Sequence, residues 1–134
     1  MTNQAQMTNI KSMTDAKAPK YDLEERTAAF AENLIKLLKT VKESTLSKPL
    51  LLQLIRSGTS IGANYCEADG AESKKDFQHK IGICKKEAKE TKYWIHMLSL
   101  LHPEKKDELR VLWREAQEFT LIFSKIIQSS RNRQ

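Results

Sequence analysis

Apolar residues in the first part of the chain recur every three or four positions, which is the spacing of a helix that buries one face. The series runs Leu23, Thr27, Phe30, Leu34, Leu37 or Leu38, and Val41. Acidic side chains at Asp22, Glu24 and Glu25 favour a helix start, because they interact with the positive end of the helix dipole. The pattern predicts a first amphipathic helix over about residues 22–42.

Capping and breaking residues predict where the second helix begins and ends. Ser47 can cap a helix, and Pro49 is tolerated in its first turn. Gly70 is a natural stop for a helix. We therefore expect the second helix to extend from Ser47 to about Gly70.

The same signals bound two longer helices. Ser73, followed three residues later by Asp76, resembles a capping box and predicts the start of the third helix. The His102–Pro103 pair should end that helix, because a residue before proline avoids helical geometry. Pro103 then begins a fourth helix that continues to about Ser130.

Four helices joined by short loops predict an all-α fold. At 134 residues the chain has the length of one domain. Short connections make sequential helices neighbours, so we expect an antiparallel up-down-up-down four-helix bundle over residues 21–130. Residues 1–20 are polar and lack periodic apolar positions, which predicts a disordered leader, and residues 131–134 form a basic tail.

The predicted helices carry more apolar surface than one bundle can bury. Helix 4 places Trp113 in its main apolar seam and adds Val111 and Ile122 outside it. Helices 2 and 3 also have surplus apolar edges, where the predicted oligomer contacts are Leu52, Ile55, Ile83, Trp94 and Leu101. Uncovered patches of this kind favour self-association into a homo-oligomer. The alternative is a monomer with an unusually thick core.

A polar stripe interrupts the apolar surface of helix 2. The stripe, taken together with two carboxylates of helix 3, consists of Arg56, Ser60, Asn64, Glu67, Glu87 and Glu90. The small residues Ser57, Gly58, Gly62 and Ala63 would let another backbone approach closely. A covered Arg56 needs a partner, because an unsatisfied buried polar group costs roughly 1 to 3 kcal/mol and a lone charge costs more. We expect Arg56 to pair with one of the three glutamates, in a structural role rather than a ligand-binding or catalytic one.

The chain is basic, with a net charge of +6. Most of the excess lies in residues 1–20 and at Arg131 and Arg133, so the predicted bundle is nearly balanced. One side of helix 3 nevertheless carries a lysine face, which consists of Lys74, Lys75, Lys85, Lys86, Lys89 and Lys92. This face could follow the phosphates of RNA or another nucleic acid, and the lack of an aromatic cluster beside it predicts little sequence specificity. A solvated helix face produces the same pattern.

The sequence contains no pattern typical of catalysis or metal binding. No histidine stands three residues after a glutamate, as helical di-metal sites require, and no nucleophile has a paired base. Cys66 and Cys84 lack metal-ligand spacing and predict buried free thiols. No apolar run reaches the roughly 20 residues of a membrane helix and no signal core is present, so we expect a cytoplasmic protein without cofactors.

Four segments of the chain resemble one bacterial protein family. They are Tyr21-Asp22-Leu23-Glu24-Glu25-Arg26-Thr27, Arg56-x-x-Thr59-Ser60-Ile61-x-Ala63-Asn64-x-x-Glu67, Ser73-Lys74-Lys75-Asp76-Phe77 and Lys86-Glu87-Ala88-x-Glu90-Thr91-x-Tyr93-Trp94. In this order, over about residues 20–128, the motifs are similar to those of the 23S rRNA intervening-sequence proteins, a family of four-helix-bundle proteins.

The resemblance implies an up-and-down bundle that assembles as a homopentamer and has no enzyme activity. Genes of this family sometimes lie within insertions in the large ribosomal RNA gene. A related branch, the accessory proteins of diversity-generating retroelements, implies a basic pentameric barrel that engages a reverse transcriptase and nucleic acid. We therefore expect a non-enzymatic oligomeric scaffold or interaction protein whose partners are other copies of itself or another protein. The alternative is an RNA-binding or other nucleic-acid-binding module that uses the lysine face.

Overall fold

The computed structural model of the protein describes residues 22–133, so the predicted leader over residues 1–20 lies outside the described residues. The described part consists of α-helices and one short 3₁₀ turn, without strands. The helices are α1 (Leu23–Leu38), α2 (Ser47–Asp69), α3 (Lys74–Leu101) and α4 (Lys106–Asn132), and the 3₁₀ turn is Pro103–Lys105. The all-α prediction is confirmed.

Helix α1 begins where the acidic residues predict but ends earlier. The Asp22 carboxylate caps it by accepting a hydrogen bond from the Glu25 backbone N–H at 3.2 Å. After Leu38 the chain leaves helical geometry in a turn, where the Thr40 hydroxyl donates to the Leu37 carbonyl at 2.7 Å. Val41 is buried although it lies outside the helix. The apolar spacing therefore predicted the burial of Val41 correctly but extended the helix too far.

Helix α2 begins at Ser47 as predicted, but Ser47 does not cap it. The capping position is Leu46, which makes no side-chain cap, and Ser47 is the first helical residue. Its hydroxyl serves the preceding loop instead, where it accepts from the Ser44 backbone N–H at 2.8 Å and donates to the Lys42 carbonyl at 3.2 Å. The Ser47 hydroxyl, which was expected to cap the helix, therefore forms hydrogen bonds within the loop instead.

Helix α3 follows its predicted start and end. The Ser73 hydroxyl accepts from the Asp76 backbone N–H at 3.0 Å, and His102 leaves helical geometry with φ −132° and ψ 69°. Pro103 opens a 3₁₀ turn rather than α4 itself, which begins three residues later than predicted. The end of α4 also differs, because the helix includes Arg131 and Asn132 of the predicted basic tail.

One hydrophobic core joins the four helices. Leu34 of α1, Leu54 and Ile61 of α2, and Ile81 of α3 are fully buried. Aromatic rings connect α4 to the others: Phe119 meets Phe30 edge-to-face with centroids 5.6 Å apart, and Phe123 lies 6.4 Å from Tyr65. The result is an all-α helical bundle in which α2 packs against α1 and α3, α3 packs against α4, and α1 meets α4.

Small residues of α2 allow α1 to approach it closely. A Cβ atom at Gly58 would overlap the Leu34 side chain, and a Cβ at Gly62 would lie 3.0 Å from the Thr27 hydroxyl. Thr27 is buried and donates this hydroxyl to the Leu23 carbonyl at 2.6 Å. The two glycines therefore face α1 within the same chain.

Candidate functional site

An ion-pair cluster joins the middle of α2 to α3. We call it the Arg56 cluster, and it consists of Arg56, Glu87, Glu90 and Trp94. The guanidinium of Arg56 lies 3.4 Å from Glu87 Oε1 and also donates to Glu90 Oε2. The indole N–H of Trp94 donates to the same Glu90 oxygen at 3.0 Å. Glu90 therefore accepts hydrogen bonds from two helices at once.

Hydrogen bonds and opposite charges within the Arg56 cluster favour the charged forms of Arg56 and Glu90. The hydrogen bond from Trp94, followed by the hydrogen bond and charge of Arg56, lowers the pKa of Glu90. The hydrogen bond to Glu90 likewise raises the pKa of Arg56, against a smaller opposing effect of burial. Glu87 is buried, whereas the Arg56 side chain is about half exposed. A pair exposed to this degree contributes no more than about 1 kcal/mol to stability.

The other residues of the polar stripe bond to backbone carbonyls of α2 or to Lys80 instead of joining the ion pairs of the Arg56 cluster. The Ser60 hydroxyl donates to the Arg56 carbonyl at 2.6 Å, and the Asn64 amide donates to the Ser60 carbonyl at 2.8 Å. Glu67 pairs with Lys80 of α3 at 2.6 Å. The structure thus brings Arg56 together with Glu87 and Glu90 and places Glu67 elsewhere along the α2–α3 interface.

The lysine face divides into two groups. Lys75, Lys86 and Lys89 are exposed on the outer side of α3. The other three border α4: Lys74 donates to the Arg133 carbonyl, Lys92 donates to the Gln117 side chain, and Lys85 lines a groove. The groove has a volume of about 370 Å³, and its other lining residues are Ser124, Ile127, Gln128, Arg131 and Asn132. The six lysines therefore do not form one uniform surface.

Trp113 of α4 lies beside the lysine face, although its apolar spacing predicted a place in the core seam of helix 4. It is 38% exposed, and the Lys92 ammonium lies 5.1 Å from its ring centroid. An aromatic ring therefore does accompany the lysine face, although the ring belongs to the neighbouring helix. Apolar spacing assigns such a ring to the core, because a position at the edge of a helix interface has the same periodicity as a buried one.

Exposed apolar side chains concentrate at the end of the bundle where α2 and α4 begin and α3 ends. We call this group the apolar end, and it consists of Leu46, Leu52, Leu100, Leu101 and Val111. Leu52 is 61% exposed, and Leu100 and Val111 are each 65% exposed. Among the predicted oligomer contacts, Leu52 and Leu101 belong to this group, whereas Ile55 and Ile83 are half-buried and Trp94 packs against the core.

The two cysteines have different environments, and the prediction that both are buried is wrong for Cys66. Cys84 is fully buried, and burial raises the pKa of its thiol to about 12. Cys66 is exposed, because the preceding residue, Tyr65, occupies the inward position of that helical turn and packs against the core. Both thiols are free.

The described part of the chain contains neither a candidate metal site nor a candidate membrane span. No group of three or more His, Cys, Asp or Glu side chains within residues 22–133 could hold a metal ion. None of the four helices is long and apolar enough to cross a membrane.

Comparison with protein families matches residues 20–125 to the 23S rRNA-intervening sequence proteins. The chain belongs to this family. The match includes α1, α2 and α3 and most of α4. Comparison with curated proteins gives no match.

A solved structure of similar fold supports the family assignment. It is the crystal structure of a protein with unknown function from the S23 ribosomal protein family of Bacteroides thetaiotaomicron. The two chains are 32% identical and superpose with a TM-score of 0.70, over 78% of this chain and 97% of the other. The helical architecture of this 23S rRNA-intervening sequence protein is therefore shared with a structure that has been determined experimentally.

Proposed function

We propose that this protein is a non-enzymatic scaffold that functions as a homo-oligomer of antiparallel, up-down-up-down four-helix bundles. The order of contacts between helices supports the antiparallel arrangement. Along α2, Arg56 contacts Glu90 and the later residue Glu67 contacts the earlier residue Lys80. Along α3 and α4 the same reversal holds, because Gln78 donates to Ser130 and Lys92 to Gln117.

The apolar end is the observation that carries the proposal of self-association. Four large apolar side chains of α2, α3 and α4, and Leu46 just before α2, are exposed toward this end, although a monomer gains stability by burying such side chains. A second copy of the same surface is an apolar partner that is always available, and most soluble oligomers are symmetric assemblies of identical chains. The family resemblance implies five copies.

A scaffold role accords with the way the polar side chains are used. Arg56 with Glu90, and Glu67 with Lys80, join α2 to α3, whereas Asn64 bonds to a carbonyl of its own helix. These side chains support the helices rather than converge on a substrate pocket. The two free thiols suit a reducing compartment, which supports the cytoplasm of a bacterial cell as the location.

The test is to place charge on the apolar end and measure the mass of the native particle by light scattering. Leu52→Glu combined with Leu100→Glu should lower the mass toward that of a single chain, because buried carboxylates would oppose association. Leu121→Glu is the matched control, since Leu121 is 55% exposed but lies in the middle of α4. An unchanged mass in the double variant, with the helical content retained, would refute association through this end.

Nucleic-acid binding is the second candidate function, and the lysine face favours it. Lys75, Lys86 and Lys89 are exposed, which makes them accessible to the phosphates of a nucleic acid. Binding of a structured RNA should then weaken by orders of magnitude between about 50 and 200 mM salt, because phosphate contacts release counterions. Negligible binding at both salt concentrations would refute this second candidate, and the scaffold role would be the remaining proposal.

A further inference from the structure

The border between α3 and α4 has cations on both sides. We call it the α3–α4 seam, and it consists of Lys85, Lys92, Trp113, Gln117, Ser124 and Arg131. Lys85 and Lys92 are seven residues apart, two helical turns, and therefore on one side of α3. Trp113, Gln117, Ser124 and Arg131 follow one another at four and seven residues, which keeps them on one side of α4. Direct contacts of Lys92 with Gln117 and Trp113 show that the two sides meet.

Carboxylates of both helices are directed away from this seam. Glu87 and Glu90 of α3 pair with Arg56 on α2, which is the opposite neighbour of α3. Glu115 of α4 pairs with Arg26 on α1 at 2.6 Å, again on the opposite side.

The remaining acidic residues of α4 do not change this separation. Asp107, Glu108 and Glu118 stand at helical positions more than a quarter-turn from Trp113 and Arg131. Asp76 of α3 stands nine residues before Lys85, which places it on the opposite side of that helix. The acidic residues of α3 and α4 therefore stand away from the side of each helix that forms the seam. By contrast, the α2–α3 interface contains cations and carboxylates that neutralise each other.

The seam combines three kinds of group that are complementary to a single-stranded nucleic acid. Cations at Lys85, Lys92 and Arg131 match phosphates, and Lys85 and Lys92 lie about 10 Å apart along the helix axis. Trp113 has a partly exposed ring, and Gln117 and Ser124 supply neutral hydrogen-bonding groups beside it. Grooves that follow a backbone with positive charge and stack bases on aromatic rings are typical of proteins that bind single strands with little sequence preference.

We propose that the α3–α4 seam binds single-stranded nucleic acid, with Lys85, Lys92 and Arg131 contacting phosphates and Trp113 stacking on a base. This inference rests on the second candidate function and narrows it from the broad lysine face to one groove and one class of ligand. The groove lined by Lys85, Ser124 and Arg131 is the phosphate-binding part, and Trp113 lies further along the seam, toward the start of α4.

The test measures fluorescence anisotropy of the full chain with a labelled oligouridine and with a hairpin duplex of equal length. Three phosphate contacts, made by Lys85, Lys92 and Arg131, predict a slope of about −2.1 in log affinity against log salt, or about a 20-fold loss between roughly 50 and 200 mM. Lys85→Gln with Arg131→Gln should reduce the magnitude of that slope by about 1.4. The matched control, Lys75→Gln with Lys86→Gln, removes the same charge from the outer side of α3 and should leave the slope nearly unchanged.

Two further variants test the groove and the ring separately. Gln128→Glu places a carboxylate at the groove without removing any cation, and it should weaken oligouridine binding severalfold. Trp113→Ala should weaken it about tenfold, as expected for one lost base stack, whereas Tyr93→Ala, which removes an exposed ring of α3, should not. Thermal melting of every variant shows whether the fold is retained.

The possible outcomes separate this inference from the candidate function on which it rests. Absence of binding to either probe at the lower salt overturns both. If the two double variants weaken oligouridine binding equally, the seam is not the binding site, and the broad lysine face remains as a general nucleic-acid surface. Duplex binding as tight as oligouridine binding overturns the assignment to single strands. Loss confined to the seam variants, with preference for oligouridine, supports the proposal.

Discussion

Glu90 has an environment that makes the charge on its carboxylate part of the α2–α3 contact. Its pKa is lowered by Trp94 and Arg56, so deprotonated Glu90 stabilises the folded state. A group of this kind contributes stability above its unfolded-state pKa, near 4.5, and loses the contribution as the pH falls through the lower folded-state pKa. On acidification below about pH 5, the free energy of unfolding should therefore fall less for Glu90→Gln than for the unmodified chain. The difference between the two losses should be about 1 kcal/mol or less.

Chemical denaturation at a series of pH values measures this difference. Glu118→Gln is a suitable control, because Glu118 is exposed on α4 and has no part in the Arg56 cluster. Parallel pH profiles for Glu90→Gln and the unmodified chain would show that the Glu90 hydrogen bonds contribute nothing to folding.

The thiols of Cys66 and Cys84 should differ in reactivity. A maleimide reagent at about pH 8 should label Cys66 in the folded protein and leave Cys84 unmodified, because Cys84 is buried and its pKa is raised to about 12. Mass spectrometry should find one adduct on the native chain and two after denaturation. Cys66→Ser should give no adduct when folded, and rapid native labelling of that variant would contradict the burial of Cys84.

Individual side-chain partners were harder to predict than burial. The sequence restricted Arg56 to three glutamates, but the choice among them depends on the register of α2 against α3, which no helical wheel contains. Cys66 illustrates the same limit. It follows Tyr65 directly, and only the packing of that ring shows which of two neighbouring residues faces the core.

The contact between α1 and α2 depends on the absence of a side chain at Gly58. Gly58→Ala would overlap Leu34, which is fully buried and bordered by Phe30. Overpacking of this kind costs about 1 to 3 kcal/mol, which exceeds the gain of up to about 1 kcal/mol in helix propensity. We expect net destabilisation, measured as a lower denaturant midpoint with an unchanged slope.

Gly82→Ala is the matched substitution on α3. A Cβ atom there meets nothing within 4 Å, so only the gain in helix propensity of about 1 kcal/mol remains. The midpoint should rise. If Gly58→Ala and Gly82→Ala shifted the midpoint in the same direction, close packing of α1 on Gly58 would not be the reason for glycine at that position.

Helices were predictable from the sequence to the extent that local signals control their ends. Ser73 and the His102–Pro103 pair bound α3 through short-range hydrogen bonds and backbone sterics, and α3 has the predicted limits. The end of α1 and the start of α2 depend instead on the loop between them, where Ser44 and Ser47 bond to each other. Those interactions could not be inferred from periodicity, which registers burial but not backbone geometry.

The molecule as a whole presents two surfaces that its own core does not explain. The apolar end, proposed to bind other copies, and the α3–α4 seam, proposed to bind a nucleic-acid strand, share the start of α4 but differ in composition. Family membership is established by the match over residues 20–125, whereas the uses of both surfaces are proposals from their chemistry. The seam was difficult to foresee, because it combines lysines of one helix with a tryptophan of another, and only the packing of α3 against α4 brings them together.

Self-association is the central claim, and sedimentation equilibrium of the unmodified chain at low micromolar concentration tests it most directly. We predict a particle of at least two 15.4 kDa chains, with five copies as the number implied by the family resemblance. A stable, folded particle of 15.4 kDa that does not grow with concentration would contradict the account.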